Sequence, residues 1–292
     1  MTLVRGTQTG RIQFSISQSG PATTRLTPGE SQAAGAGDGT TVSIDVPPDA
    51  PGGIYPLLIG ASDGSITRHA AAVLVVDAEA PETAVTGLGF APAGTVSTAG
   101  IVALQVAWMA RDQGSGLAGA QLRHSPNGTN WTVVPGGPGS ATPFSAGAGP
   151  HIFQVQASDA VGNSATSASS GWTLTEAQQT AATYSGSWST FSAPAAWGTT
   201  RYSKTRGASA TFTFNGTDVV WVAQRGPRRG KAKVYLDGKL TRVDLYASSL
   251  TERRVVFSAA KLAAGQHTLK IVVNGTSGRP RVDVDGFLVL AP

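Results

Sequence analysis

Residues 207–238, GASATFTFNGTDVVWVAQRGPRRGKAKVYLDG, read as strand, turn, strand, basic loop, strand and turn. The apolar and β-branched runs predict strands over 208–214, 218–224 and 231–236. Val219, Trp221 and Ala223 alternate within the second, which assigns Trp221 to a core. In the third, Lys231, Lys233 and Tyr235 share one face, while Ala232, Val234 and Leu236 take the other. Asn215-Gly216 and Asp237-Gly238 are dipeptides of the kind that close hairpins, since both tolerate positive φ.

The rest of the chain extends this reading. Gly (37) and Pro (17) interrupt helices, and only 13% of residues are charged. The bias is all-β, with many turns. Cysteine is absent, which excludes disulfide scaffolds, thiolate metal sites and Cys nucleophiles. No stretch approaches the roughly 18 apolar residues of a membrane span. Residues 1–10 hold no apolar core resembling a secretion leader. The expectation is therefore a piece of a longer secreted or cell-surface protein.

Three domains are expected. Residues 1–78 contain predicted strands at 11–17, 40–46, 54–61 and 66–76, with a Pro/Gly turn over 47–53. Residues 77–83 read as a linker. The second domain, 79–175, has strands at 102–110, 119–124, 131–134 and 151–157. Residues 176–183 read as a connector too short for a stable helix. The third, 184–292, adds strands at 254–257, 267–273 and 281–290.

These blocks carry family resemblances. The stretch IDVPPDAPGGIYPLLIGASDGSITRHAAAVLVV resembles the Ig-like sandwich repeats of bacterial surface proteins. RDQGSGL, SPNGTNW and FQVQASDAVGNSA together resemble a fibronectin type III-like domain. YSGSWS, the stretch 207–238, LAAGQHTLKIVVNGTSG and VDVDGFLV are similar to galactose-binding-domain-like jelly rolls. The resemblance implies two Ig/fibronectin-like β-sandwiches followed by a jelly roll of the kind appended to bacterial glycosidases, proteases and surface proteins. It also implies structural roles for Trp188, Asp285 and His267.

Charge divides the chain. Residues 184–292 hold 16 of 22 Lys and Arg but 6 of 17 Asp and Glu, so they carry +10 and the remainder −5. Arg225, Arg228, Arg229, Lys231 and Lys233 crowd one loop and the strand after it. Arg forks suit phosphate, sulfate or carboxylate groups, so this loop is a candidate polyanion site; a solvated turn is the plainer reading. Trp197 and Tyr202 precede the first clear strand and are candidates for stacking on a sugar. Trp108 and Trp131 are expected in core or turn packing.

Paired carboxylates Asp283 and Asp285 share a strand face, but neighbouring cations should depress their pKa, which is wrong for a general acid. Asp112, Asp159 and Asn163 offer oxygen ligands that calcium would accept, yet Asx residues also cap their own turns. No other cofactor is implied. No nucleophile triad, phosphate-cradling loop or dinucleotide fingerprint appears, so the expectation is a non-enzyme.

The expected function is a non-catalytic binding or adhesion protein. Its basic jelly roll would hold an extracellular, acidic glycan, with the sandwiches as spacers. Two alternatives stand beside it: a structural subunit self-associating through its acidic N-terminal and basic C-terminal halves, or the accessory tail of a larger secreted enzyme. Nucleic acid is disfavoured, because the aromatics do not interleave with the basic loop.

Overall fold

The computed structural model describes residues 11–27, 40–92, 94–138, 141–192 and 197–292. Residues 1–10, where a leader was sought, lie outside the described residues. The chain is all-β, with several antiparallel sheets and, among the described residues, one 3₁₀ turn. It divides into two compact units. One is built on residues up to Pro81 with Arg111–Gly119 and Ser158–Ser164, and the other on Glu82–Ala110, Ala120–Ala157 and Ala165–Pro292.

The first unit carries β1 (Gln13–Gln18), β2 (Thr23–Thr27), β3 (Thr41–Asp45), β4 (Gly53–Ser62) and β5 (Thr67–Val76). They form a three-stranded sheet, β1-β4-β5, and a β2-β3 ribbon. Ile12 and Phe14 bury with Ala61, as period-two alternation predicts. The 47–53 turn closes through Ala50 N–H donating to Pro47 O at 3.0 Å.

The second unit begins with β6 (Glu82–Phe90), β7 (Val102–Arg111), β8 (Leu117–Ser125), β9 (Thr132–Val134), β10 (Thr142–Ala146), β11 (Gly149–Asp159), β12 (Ser164–Thr166) and β13 (Ser170–Gln178). After the 3₁₀ turn Gln179–Ala181 come β14 (Thr183–Ser185), β15 (Ser189–Ser192), β16 (Thr199–Ser203), β17 (Ser209–Asn215), β18 (Asp218–Arg225) and β19 (Lys231–Leu236). The chain ends in β20 (Lys239–Asp244), β21 (Thr251–Ala259), β22 (Gln266–Val273), β23 (Val282–Val284) and β24 (Gly286–Ala291).

A long sheet runs β21-β18-β24-β13-β11-β8-β9, with β12 on β11. The first three residues of the expected connector 176–183 are part of it, since Glu176 pairs with Leu288 and Gln178 with Gly286. Its backbone finds partners more than a hundred residues downstream, which local propensity cannot report. The sequence 281–290 likewise splits. Its first part, β23, pairs with β16, and its second, β24, pairs with β18 and β13.

Strand β18 explains the two cores. Val219, Trp221 and Ala223 point into one, with Phe212, Phe214, Val234, Leu269, Ile271 and Phe287. Val220 and Val222 point into the other, with Leu104, Trp108, Phe153, Leu174 and Leu288. A strand covered on both faces needs a continuous apolar run, and DVVWVA supplies it. Trp108 is buried as expected and its indole N–H donates to Thr142 Oγ1 at 2.7 Å. Trp131 is half-buried, with the Arg123 guanidinium 5.9 Å from its ring.

The two turn dipeptides behave differently. Asp237 (φ 48°) and Gly238 (φ 83°) both take positive φ and close the β19–β20 hairpin. Asn215-Gly216 instead carries the chain between sheets, because β17 and β18 do not pair. Gly216 is required there by close approach: a Cβ would sit 2.6 Å from Leu290 O.

Candidate functional site

The open face of the sheet β14-β17-β22-β19-β20 gathers the candidate chemistry. On β19, Ala232 and Val234 bury while Lys231 and Lys233 turn outward, as alternation predicts. Register then sets their neighbours. Lys233 lies opposite Arg242 on β20 and Val272 on β22, and Tyr235 lies opposite Leu240 and Lys270. Directly opposed residues share a face, so Lys231, Lys233, Arg242 and Lys270 line one surface around Tyr235. A hollow of about 380 Å³ sits on it, lined by Tyr235, Gly238, Thr268, Lys270 and Val272.

The acid on this face is already engaged. Asp244, opposite Lys231, accepts from Arg279 Nη1 at 2.5 Å and Nη2 at 2.9 Å. These bonds hold its carboxyl down to about 2. Asp244 is thus an ionised carboxylate whose charge is met by Arg279 and, at 4.0 Å, by Lys231, which leaves Arg242 and Lys270 exposed and Lys233 half-exposed on the same face.

The basic loop divides into anchored and presented residues. Arg229 Nε donates to the fully buried Asp283 Oδ2 at 2.9 Å, and its Nη2 donates to Gln224 Oε1. Arg279 Nη1 donates to Arg229 O at 2.8 Å, and Gly230 N–H to Arg281 O at 2.7 Å. Arg225 Nη2 donates to Tyr246 O at 2.9 Å. Arg225 and Arg229 thus fasten the loop, while Arg228 is exposed at its tip.

Of the two aromatic candidates, Trp197 is displaced from its expected role. Trp197 is 4% exposed and packs in the core with Val222 and Leu288, so it offers no ring to a sugar. It lies just before Thr199 and Thr200 of β16, whose polar residues gave no hint of an apolar wall behind it. Tyr202 is half-buried and carries the Arg281 guanidinium 3.9 Å from its ring centre. One face of that ring is already occupied. Trp188 is held structurally, edge-on to Tyr184 at 4.9 Å.

Asp283 and Asp285 are fully buried and out of reach of any substrate. The expected downward pKa shift is reversed in both. Burial pushes Asp283 up against the opposing pull of Arg281 and Arg229. It pushes Asp285 up to about 6, with the bond from Thr200 opposing and the charges of Asp283 and Glu252 adding to it. At Asp283 desolvation outweighs the two neighbouring cations because the carboxylate is fully buried.

In the first unit, Asp77, Asp112 and Asp159 bring carboxylate oxygens within 4.8 Å of one another. Asp77 was outside the sequence reading, hidden in the supposed linker. Asn163 turns its Nδ2 to Asp159 Oδ2 (2.7 Å) and Asp77 O (3.0 Å), so it clamps the loops. The carboxylates also accept main-chain N–H groups, Asp77 from Ser115 at 2.6 Å and Asp112 from Gly116 at 2.6 Å. Asp77, Asp112 and Asp159 are hard oxygen donors of the kind calcium takes, and they are already engaged by main-chain and amide N–H groups.

No protein-family model matches the chain. It is 39% identical over 120 residues to an A type blood alpha-D-galactosamine galactosaminidase of Flavonifractor plautii, covering 40% of this chain and 11% of that enzyme. It is 41% identical over 91 residues to an A type blood N-acetyl-alpha-D-galactosamine deacetylase of the same organism, covering 31% of this chain and 11% of the enzyme. The chain thus matches about a tenth of the length of each. Among solved structures, the CBM36-1 domain of a multidomain xylanase from the Trinervitermes trinervoides hindgut metagenome is similar over 41% of this chain and 97% of its own, at 15% identity and TM-score 0.31.

Proposed function

We propose that this chain is a non-catalytic, glycan-binding accessory segment of a larger secreted bacterial glycan-active enzyme. In this reading two Ig/fibronectin-like sandwiches support a terminal galactose-binding-like jelly roll. The observation that carries it is the open sheet face, where Lys233, Arg242 and Lys270 share a surface with Tyr235, and Tyr235 and Lys270 line a hollow. An aromatic ring offers a stacking surface for a sugar's apolar side, and the cations offer partners for its acidic groups. The matches add support, because similarity to about a tenth of a galactosaminidase and of a deacetylase suits an accessory role beside either chemistry.

The test is a glycan array probed with the full chain at low and physiological salt. The reading expects acidic glycans to bind, with affinity falling as salt screens the face. Lys233→Ala combined with Lys270→Ala should abolish that binding while leaving the melting temperature unchanged. A blank array, or binding indifferent to the double variant, rejects it.

A further inference from the structure

Strand β5 is the edge of the three-stranded sheet β1-β4-β5, and among the described residues nothing pairs with its outer side. Native edges are usually blunted by Lys, Pro, a bulge or a covering loop. Here the last seven residues, AAAVLVV, carry no charge and no proline, and the β4–β5 register runs unbroken from Gly53↔Val76 to Ser62↔Thr67. One face of this hairpin is also apolar and open. Ile54 is 70% exposed, Val73 59% and Leu58 44%, and register places Pro56, Ala71 and Val75 beside them.

The direction of the main chain can be worked out. Asp63 N–H donates to Ile66 O at 3.3 Å, so the 63–66 pair at the hairpin end is hydrogen-bonded. Hydrogen-bonded and non-hydrogen-bonded pairs alternate along an antiparallel ladder. Pro56↔Val73 is then non-hydrogen-bonded, which agrees with Pro56 having no N–H to give. The N–H and C=O groups of His69, Ala71, Val73 and Val75 therefore point away from β4.

We infer that β5 is the interface through which a second copy of this chain pairs, edge to edge and antiparallel, about a two-fold axis at Ala72. An exact two-fold requires a residue to face its own copy, and Ala72 has the right parity for a non-hydrogen-bonded central pair. Ala71 then faces Val73 and His69 faces Val75 of the other copy, in hydrogen-bonded pairs exchanging about eight main-chain bonds. Ala70 falls opposite Leu74, so small side chains in the first half of the strand meet large ones from the second. This self-complementarity of AAAVLVV is what favours a second copy as the occupant. The result is one continuous sheet, β1-β4-β5 joined to its own copy, with the apolar stripe running across the join.

The chain has no cysteine, which makes the register directly testable in the full protein. Ala72→Cys places two sulfurs across the axis with Cα atoms about 4.5 Å apart, inside disulfide range. Ala70→Cys leaves its two copies displaced by four residues along the strand, about 13 Å, which is out of range. Mild oxidation should yield at least about tenfold more covalent dimer from the first than from the second. Sedimentation of the unmodified chain should show a concentration-dependent dimer that Val73→Pro, which removes an outward N–H, turns into a monomer with unchanged circular dichroism. A chain monomeric at about 100 μM, equal cross-linking of the two cysteine variants, or a dimer that survives Val73→Pro overturns the inference. A dimer that survives the proline but dissolves in salt would assign association to the charged halves instead.

Discussion

Arg229 and Asp283 lock the basic loop onto the middle of β23: Nε donates to Oδ2 at 2.9 Å, with the carboxylate fully buried and the Arg229 side chain 11% exposed. Asp283 also takes Arg281, whose Nη2 lies 2.5 Å from Oδ1. The most basic stretch of the chain is thus partly a structural fastening. A buried acid without its partner is costly, so the loop's cations are unequal in what their loss would do.

Arg229→Ala should lower stability by about 3 kcal/mol, because it strips a buried carboxylate of one of two cations. Arg228→Ala, at the exposed tip, should change it by less than about 0.5 kcal/mol. Thermal melts of the two single variants separate these outcomes. Equal melting temperatures would mean that the Arg229 clasp contributes nothing.

Asp285 gives a pH dependence of definite sign. Its folded pKa of about 6 lies above the ordinary 3.8, so the folded state holds its proton more tightly. The associated stability is fully present below the unfolded value and is lost as pH rises through about 6. Asp285→Asn keeps an acceptor for Thr200 and removes the charge. It should raise the melting temperature by a few degrees at about pH 7.5 and by nothing at about pH 4. A variant less stable than the parent at neutral pH would show that the ionised form is the one the fold prefers.

His124 acts in the opposite sense. Gly147 O can only accept, so His151 carries its proton on Nε2 and takes a bond from His124 Nε2 on Nδ1, at 2.9 and 3.1 Å. Burial lowers the His124 pKa, and His151 lowers it further. This contribution is intact above the unfolded value of 6.5 and is lost as pH falls below it. His124→Gln retains a donor without titrating. Its melting temperature relative to the parent should therefore improve steadily from about pH 7 to pH 5. A flat difference would dismiss the pair as a source of acid sensitivity.

What was legible in the sequence follows from range. Lys231 to Leu236 declared its two faces through alternation alone, and Asp237-Gly238 its turn, because both depend on neighbouring residues. Arg242, Lys270 and Val272 belong to the same face, yet only strand register brings them to Tyr235. The same limit hid Asp77 beside Asp112 and Asp159, and the pairing of Glu176 with Leu288. Trp197 misled for a different reason. Its local context is polar, and the apolar wall it meets comes from β18 and β24.

That misplacement sets up a paired test of Trp197 and Tyr235. Trp197 fills a core beside Gly286, where a Cβ would already sit 3.2 Å from its ring. Trp197→Ala should therefore cost about 3–5 kcal/mol through lost burial and a cavity. Whatever folded fraction remains should bind glycan with the parent affinity, since the ring touches no open surface. Tyr235 stands on the open face, half-buried in the hollow with Lys270. Tyr235→Ala should leave stability within about 1 kcal/mol of the parent and weaken glycan binding about tenfold or more. Calorimetric titration below the melting temperature of both variants reads the two effects separately. Weakened binding in the tryptophan variant, with the tyrosine variant unaffected, would move the site off this sheet.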